Sequence, residues 1–114
     1  MSADLDSVIG RCLMVGVRGA RPGDAVVEAD LAACARAHVR GVILFDVDLP
    51  TRDRGGLRNI ESPAQVKDLV AHIKATLGEG TIVAIDQEGG RVARLKPQRG
   101  FRASRSAAEL GAMS

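Results

Sequence analysis

The sequence has few aromatic residues, few cysteines and no long apolar run. Phe45 and Phe101 are its only aromatic residues, and it contains no Trp or Tyr. Because surfaces that bind single-stranded nucleic acid stack bases on aromatic rings, this scarcity argues against that class. No apolar run approaches the ~20 residues of a membrane-spanning helix, and the acidic start lacks the basic and apolar regions of a secretory leader. These absences predict a soluble, cytoplasmic protein.

The two cysteines, Cys12 and Cys34, have neither CxxC spacing nor a nearby pair of histidines. That spacing argues against a metal site, and we expect two reduced, packed thiols rather than a disulfide. The loops also lack the patterns GxGxxG and GxxxxGK[ST], with which glycine-rich turns bind nucleotide phosphates. The sequence therefore predicts neither a bound metal nor a cofactor.

The charges are nearly balanced, with 16 basic and 14 acidic residues and a net charge of +2. Charges interleaved in this way are typical of a solvated surface rather than a stripe that binds a polyanion. Three arginines, Arg52, Arg54 and Arg58, gather in one long loop, where contact with phosphate is the alternative to simple solvation. We therefore expect neither a nucleic-acid partner nor a membrane partner.

Apolar patterning predicts an alternation of strands and helices. Strands are expected over 12–17, 42–45 and 82–85, and helices over 4–11, 25–38, 63–77 and 107–110. Such alternation favours an α/β fold with parallel strands. A (β/α)8 TIM barrel takes ~250 residues, so residues 1–114 are predicted to be an incomplete barrel domain of about three β/α units. Its exposed sheet edges predict self-association, since open edges pair with other chains.

One stretch carries the strongest functional signal. The apolar run Ile82–Ile85 predicts a strand buried on both faces, and Asp86 follows it directly. In parallel sheets ligands bind beyond the carboxyl ends of the strands, and Asp46 stands at the corresponding end of the preceding strand. Gly89 and Gly90 would let the backbone come close to a bound group. These features predict a polar-ligand site at this edge.

The segment Ile85-Asp-Gln-Glu-Gly-Gly-Arg-Val92 resembles a motif of glycoside hydrolase family 3, in its β-N-acetylhexosaminidase branch. The likeness continues through 9–16, 41–45, 58–66 and 94–101, and thus spans nearly the whole chain. It implies a (β/α)8-barrel hydrolase that acts with retention on terminal β-linked N-acetylglucosamine. A peptidoglycan fragment, a chitin oligomer and another β-glycoside are the candidate substrates.

By the same resemblance, Asp86 and Arg94 match residues that bind the sugar. A carboxylate can accept from two vicinal hydroxyls, and a guanidinium offers a rigid fork of donors. The family's nucleophile and acid/base belong to later segments, and retaining chemistry needs two groups that flank the bond. The resemblance therefore implies substrate-binding residues but no catalytic residue here, and the 114-residue chain alone is expected to be inactive.

Some of these residues also have purely structural interpretations, and the sequence allows functions other than sugar binding. We expect Arg91 to form an ion pair with Glu88 or Asp86, and His38 and His72 to be helix residues without a catalytic role. One alternative function is a small non-catalytic domain that binds a phosphorylated or sugar ligand through the glycines and a following helix start, although Glu88 would repel phosphate. The other alternative is an inactive fragment.

Overall fold

A computed structural model describes residues 4–113, in which helices and short strands alternate as far as β3 and two further strands precede the last helix. The helices are α1 Leu5–Arg11, α2 Ala25–Arg36, α3 Pro63–Leu77 and α4 Ala107–Gly111. The strands are β1 Met14–Gly16, β2 Gly41–Leu44, β3 Ile82–Ile85, β4 Gln87–Gly89 and β5 Val92–Ala93. Within the described residues, no helix is long and apolar enough to cross a membrane.

The first three strands form one parallel sheet in the order β1-β2-β3. Its register places Val15 beside Val42 and Val42 beside Val83. Parallel neighbours need a crossover connection, and α2 and α3 fill those two connections. The predicted α/β class with parallel strands is therefore confirmed.

The core lies between one face of the sheet and the helices α2 and α3. Because side chains alternate along a strand, Val42 and Leu44 of β2 point to this face, and both are buried. The helices contribute apolar residues at helical spacing, which form one stripe each: Val27, Leu31 and Cys34 from α2, and Leu69, Ile73 and Leu77 from α3.

The start of α3 is closed by a reciprocal pair of side-chain hydrogen bonds, a capping box. The Ser62 side chain accepts from the backbone N–H of Gln65, and the Gln65 side chain accepts in turn from the Ser62 backbone N–H, with Pro63 in the first turn. At α2, Asp24 also occupies the N-cap position. Its side chain, however, accepts from the backbone N–H of Arg21 rather than from the helix.

The expected burial of strand 82–85 on both faces is wrong. No residue of β3 is fully buried, and Ile82 is 63% exposed. Two features of the described residues explain this. The helices cover only one face of the sheet, and β3 has a neighbouring strand on one side only.

Two predicted elements also differ from the structure by more than one residue at one end. The first strand is shorter than 12–17, because Cys12 still belongs to the end of α1. Helix α2 ends at Arg36 rather than at His38, since His38 has a φ of 57°, in the left-handed region that stops a helix.

The two thiols have different surroundings. Both cysteines are free, as expected, but only Cys34 is packed in the core, whereas Cys12 is exposed. Burial raises the pKa of the Cys34 thiol above its ordinary value, and the nearby Asp30 adds to that effect. Cys34 is therefore held in its neutral form, which suits an apolar core.

Candidate active site

Two carboxylates stand at the carboxyl edge of the parallel sheet. Asp86 follows β3 directly, and Asp46 lies two residues after the end of β2. Their exposure differs greatly, since 46% of the Asp86 side chain is accessible and only 2% of the Asp46 side chain. One edge therefore carries an accessible carboxylate beside a buried one.

Arg94 lies between these carboxylates. Its two terminal nitrogens are 3.6 Å from Asp46 Oδ1 and 3.7 Å from Asp86 Oδ2. Both distances exceed the ~2.7–2.9 Å of a charge-assisted hydrogen bond. Its Nε is buried and has no hydrogen-bond partner among residues 4–113. The guanidinium is thus held by charge, and among residues 4–113 its terminal nitrogens make ion pairs but no close hydrogen bond.

Lys96 completes this group through a close contact between its Nζ and Asp46 Oδ2. We refer to Asp46, Asp86, Arg94 and Lys96 as the strand-end cluster. The structure thus brings together the two predicted sugar ligands, Asp86 and Arg94, and adds two neighbours to them. Lys96 lies within 94–101, a segment that the family likeness includes, but the sequence analysis gives this residue no role.

The segment that carries Arg94 is a small antiparallel hairpin of β4 and β5 rather than a simple turn. Gln87 fixes its end, because its Oε1 accepts from the backbone N–H groups of Arg94 at 2.8 Å and Leu95 at 2.9 Å. Its Nε2 donates to Ser104 Oγ at 2.8 Å. Because Gln87 directly follows Asp86, these hydrogen bonds tie the backbone of Arg94 to the end of β3.

The two glycines of the hairpin allow its turn and a close contact within the chain. Gly89 and Gly90 have φ values of 76° and 57°, which glycine adopts without strain. A Cβ on Gly89 would lie 2.0 Å from the carbonyl oxygen of Arg105, so the chain's own backbone makes the close approach. The residues after Gly90 form β5, so the helix start that the phosphate-binding alternative requires does not follow the glycines.

The expected ion pair of Arg91 is absent from the described residues. Glu88 and Arg91 are both exposed on the hairpin, and neither Glu88 nor Asp86 forms an ion pair with Arg91. The partner of Asp86 is Arg94 instead. The hairpin explains this, since its register carries Arg94 back to the edge of the parallel sheet.

The Phe45 ring contacts two guanidinium groups. Arg58 sits over the ring at 5.2 Å from its centroid, and Arg94 at 5.7 Å, distances at which a cation is attracted to an aromatic face. Arg58 also donates from Nε to the backbone oxygen of Val17 at 3.1 Å. It is therefore a packed residue rather than a solvated one, whereas the other two arginines of its loop are exposed.

Asn59 connects the ends of β1 and β2. It is fully buried, accepts from the Phe45 backbone N–H at 2.9 Å, and donates to the backbone oxygens of Val17 at 3.1 Å and Gly19 at 2.8 Å. A buried amide that satisfies three backbone groups fixes the loops around it. The sequence gives no periodic pattern for such a residue, because its partners lie far away along the chain.

A second charged group lies beside the strand-end cluster. Asp48 Oδ1 is 3.6 Å from Arg18 Nε and 3.9 Å from a terminal nitrogen of Arg58, and Asp48 Oδ2 accepts from Thr51 Oγ at 2.9 Å. This buried carboxylate contacts the loop and the end of β1. It makes no ion pair with Arg94 or Lys96 among the described residues.

The histidines lie apart from this cluster. His72 of α3 contacts Glu28 of α2, with 2.7 Å between Nε2 and Oε1. His38 follows the end of α2. Within residues 4–113, neither makes an ion pair with a member of the strand-end cluster.

Curated proteins similar to this chain share one printed name. A beta-hexosaminidase of Nitrosomonas eutropha is 39% identical over 74 residues, which are 65% of this chain and 18% of that protein. A beta-hexosaminidase of Bordetella avium is 34% identical over 99 residues, which are 87% of this chain and 24% of that protein. The chain therefore spans about a fifth of the length of the curated relatives it matches. No family model matches it.

The fold comparison agrees with these relatives. A glycoside hydrolase family 3 beta-N-acetylglucosaminidase from Paenibacillus has a TM-score of 0.73 and 29% sequence identity, over 97% of this chain and 19% of that one. The predicted resemblance is therefore confirmed: in sequence and in fold, this chain is similar to a segment of the β-N-acetylhexosaminidases of glycoside hydrolase family 3.

Proposed function

We propose that this chain carries part of the sugar-binding site of a glycoside hydrolase. In this proposal Asp86 accepts hydrogen bonds from two neighbouring hydroxyls of a terminal sugar, and Arg94 donates to the same sugar. The observation that carries it is the pairing of an accessible carboxylate with a guanidinium whose terminal nitrogens make no close hydrogen bond among residues 4–113, at the carboxyl edge of a parallel sheet.

The chemistry of the two groups supports this assignment. A carboxylate offers about four acceptor positions, and at 46% exposure Asp86 can present several of them to a ligand. The planar fork of Arg94 is held at both ends by charge, so little conformational entropy is lost when it binds. A neutral ligand with several hydroxyls matches this mixture of donors and acceptors better than a phosphate, which the two nearby carboxylates would repel.

The finer identity of the substrate follows from the relatives. Their printed names favour a β-linked N-acetylglucosamine. The family resemblance adds that the sugar is terminal and is released with retention of configuration. We propose that residues 1–114 correspond to about three β/α units of a (β/α)8 barrel, with the nucleophile and the acid/base supplied by other units. Asp86 and Arg94 then act in binding rather than in bond cleavage.

The test is a titration of the 15N-labelled chain with N-acetylglucosamine, followed by amide chemical shifts. We expect the shifts to change at the carboxyl edge of β3 and on the hairpin. Asp86→Ala should weaken binding about ten- to hundredfold, since a hydrogen bond to a charged group contributes about 1.5–3 kcal/mol.

Asp53→Ala is the matched control. The Asp53 side chain is 93% exposed, so its removal should leave the titration unchanged. A wild-type chain that does not respond to the sugar would contradict the proposed function. Equal binding by wild type and Asp86→Ala would contradict the role of Asp86 itself.

A further inference from the structure

Asp46 is a buried carboxylate to which the proposed function gives no task. We propose that Asp46, anchored by Lys96, is a positioning residue that orients the guanidinium of Arg94 toward Asp86. The proposal rests on the sugar-binding role given to Arg94 above, and it adds a residue that acts on the sugar only through another side chain.

The burial of Asp46 requires cationic partners. At 2% exposure its ionised carboxylate has lost most of its water, a loss that is costly unless the charge is paired. Each oxygen has its own cation, with Lys96 Nζ at Oδ2 and a terminal nitrogen of Arg94 at Oδ1. Because Lys96 occupies one oxygen closely, only the other faces Arg94.

This division of partners sets the orientation of the guanidinium. One end of Arg94 faces Asp46 at 3.6 Å, so the other end is directed toward Asp86 at 3.7 Å. The ring of Phe45 supports one face of the same group, with 5.7 Å between the guanidinium carbon and the ring centroid. Three fixed contacts therefore define the position of a planar group that has unused donors.

The proposal gives Asp46 a role beyond that of a counterion for Lys96. If Asp46 only neutralised Lys96, removal of both charges together would leave Arg94 in place. If Asp46 positions Arg94, the guanidinium loses its orientation whenever the Asp46 charge is removed, with or without Lys96. A double variant separates these two cases.

The first measurement needs no sugar. The Nε–Hε correlation of Arg94 in a 15N spectrum should be visible in the wild type, because Nε is shielded from solvent, and Arg94→Lys assigns it by its loss. We expect the correlation to broaden or shift strongly in both Asp46→Asn and Asp46→Asn/Lys96→Met. Asp48→Asn removes another buried carboxylate and should leave the correlation in place.

The second measurement is the affinity for N-acetylglucosamine in the same variants. Asp46→Asn and the double variant should each bind about tenfold more weakly than the wild type, which is the effect of misplacing one charged donor. If Asp46→Asn alone does not fold, the double variant carries the test, because it removes the unpaired cation as well.

Wild-type behaviour of the double variant, in the Arg94 signal and in affinity, would overturn the proposal and leave Asp46 as a counterion. An unchanged Arg94 signal in Asp46→Asn would overturn it as well. A failure of the proposed function looks different. In that case the wild type does not respond to the sugar, while the Arg94 correlation still reports whether Asp46 orients the guanidinium.

Discussion

At the scale of single residues, Asn59 shows how one side chain organises the candidate site. It joins the backbone after β1 to the backbone after β2, and Phe45, one of its partners, precedes Asp46 of the strand-end cluster. Val17 has a second donor in Arg58, but the Phe45 N–H and the Gly19 carbonyl depend on Asn59. Asn59, a loop residue, thus fixes the backbone at the sheet edge that carries Asp46.

We expect Asn59→Ala to lower the free energy of unfolding by about 3 kcal/mol, because it leaves two partly buried backbone groups without partners. Urea denaturation followed by circular dichroism measures this loss. Gln98→Ala removes an exposed amide and should change stability by less than about 0.5 kcal/mol. A loss below about 1 kcal/mol for Asn59→Ala would mean that water or a rearranged loop satisfies those groups.

At the scale of elements, the helices α2 and α3 are joined across their surface by Glu28 and His72. Glu28 Oε1 accepts from the backbone N–H of Gly23 at 2.9 Å and also contacts His72 Nε2 at 2.7 Å. The hydrogen bond from Gly23 is the larger cause that holds the pKa of Glu28 below its ordinary value of 4.5, and His72 adds to it. The same carboxylate therefore fixes the loop before α2 and the neighbouring helix.

This lowered pKa predicts an acid-dependent loss of stability. The folded state binds the Glu28 proton less tightly than the unfolded state, so the stabilisation is fully present above the ordinary pKa of 4.5 and is lost as pH falls through the lower, folded value. Glu28→Gln should be less stable than wild type at pH 7, and the difference should shrink as the pH falls below about 4.5.

Unfolding curves recorded at several pH values measure that difference. Glu79→Gln, an exposed site in the loop after α3, is the matched control and should follow the wild type throughout. A Glu28→Gln difference that stays constant from pH 7 to pH 3 would contradict the linkage, since a neutral glutamine cannot lose a charge.

At the scale of the whole molecule, the sequence predicts the order of elements because that order depends on local patterns. The apolar stripe of α3 and its capping serine are readable within one segment. The burial of β3 cannot be predicted from its own segment, because it depends on which elements cover each face of the sheet. The hairpin of β4 and β5 is also missed, since three- and two-residue strands are too short to show alternation.

The candidate site divides in the same way. Asp86 and Arg94 lie in neighbouring stretches of one sequence segment, so the family resemblance is enough to link them. Asp46 and Lys96 are 50 residues apart, and only the sheet register and the hairpin place them in contact. Contacts across such a separation have no signature in a single sequence, which is why the counterion of Asp46 emerged only from the fold.

The one-sided pairing of β3 has a consequence for hydrogen exchange. The Ile82 N–H donates to the backbone carbonyl of Arg40 at 2.9 Å. In a parallel sheet, every second residue of a strand forms its hydrogen bonds with the same neighbouring strand. The amides of Ile82 and Ala84 therefore face β2, whereas those of Val83 and Ile85 point away from it. We expect the first pair to exchange slowly with deuterium and the second pair quickly in a dilute sample.

Exchange measured at rising protein concentration then tests the predicted self-association. If copies of the chain pair along this edge, Val83 and Ile85 become protected as concentration increases, while Ile82 and Ala84 are unaffected. Rates that do not depend on concentration would contradict that pairing. The exchange rates of these four amides thus report whether another copy of the chain is paired with β3.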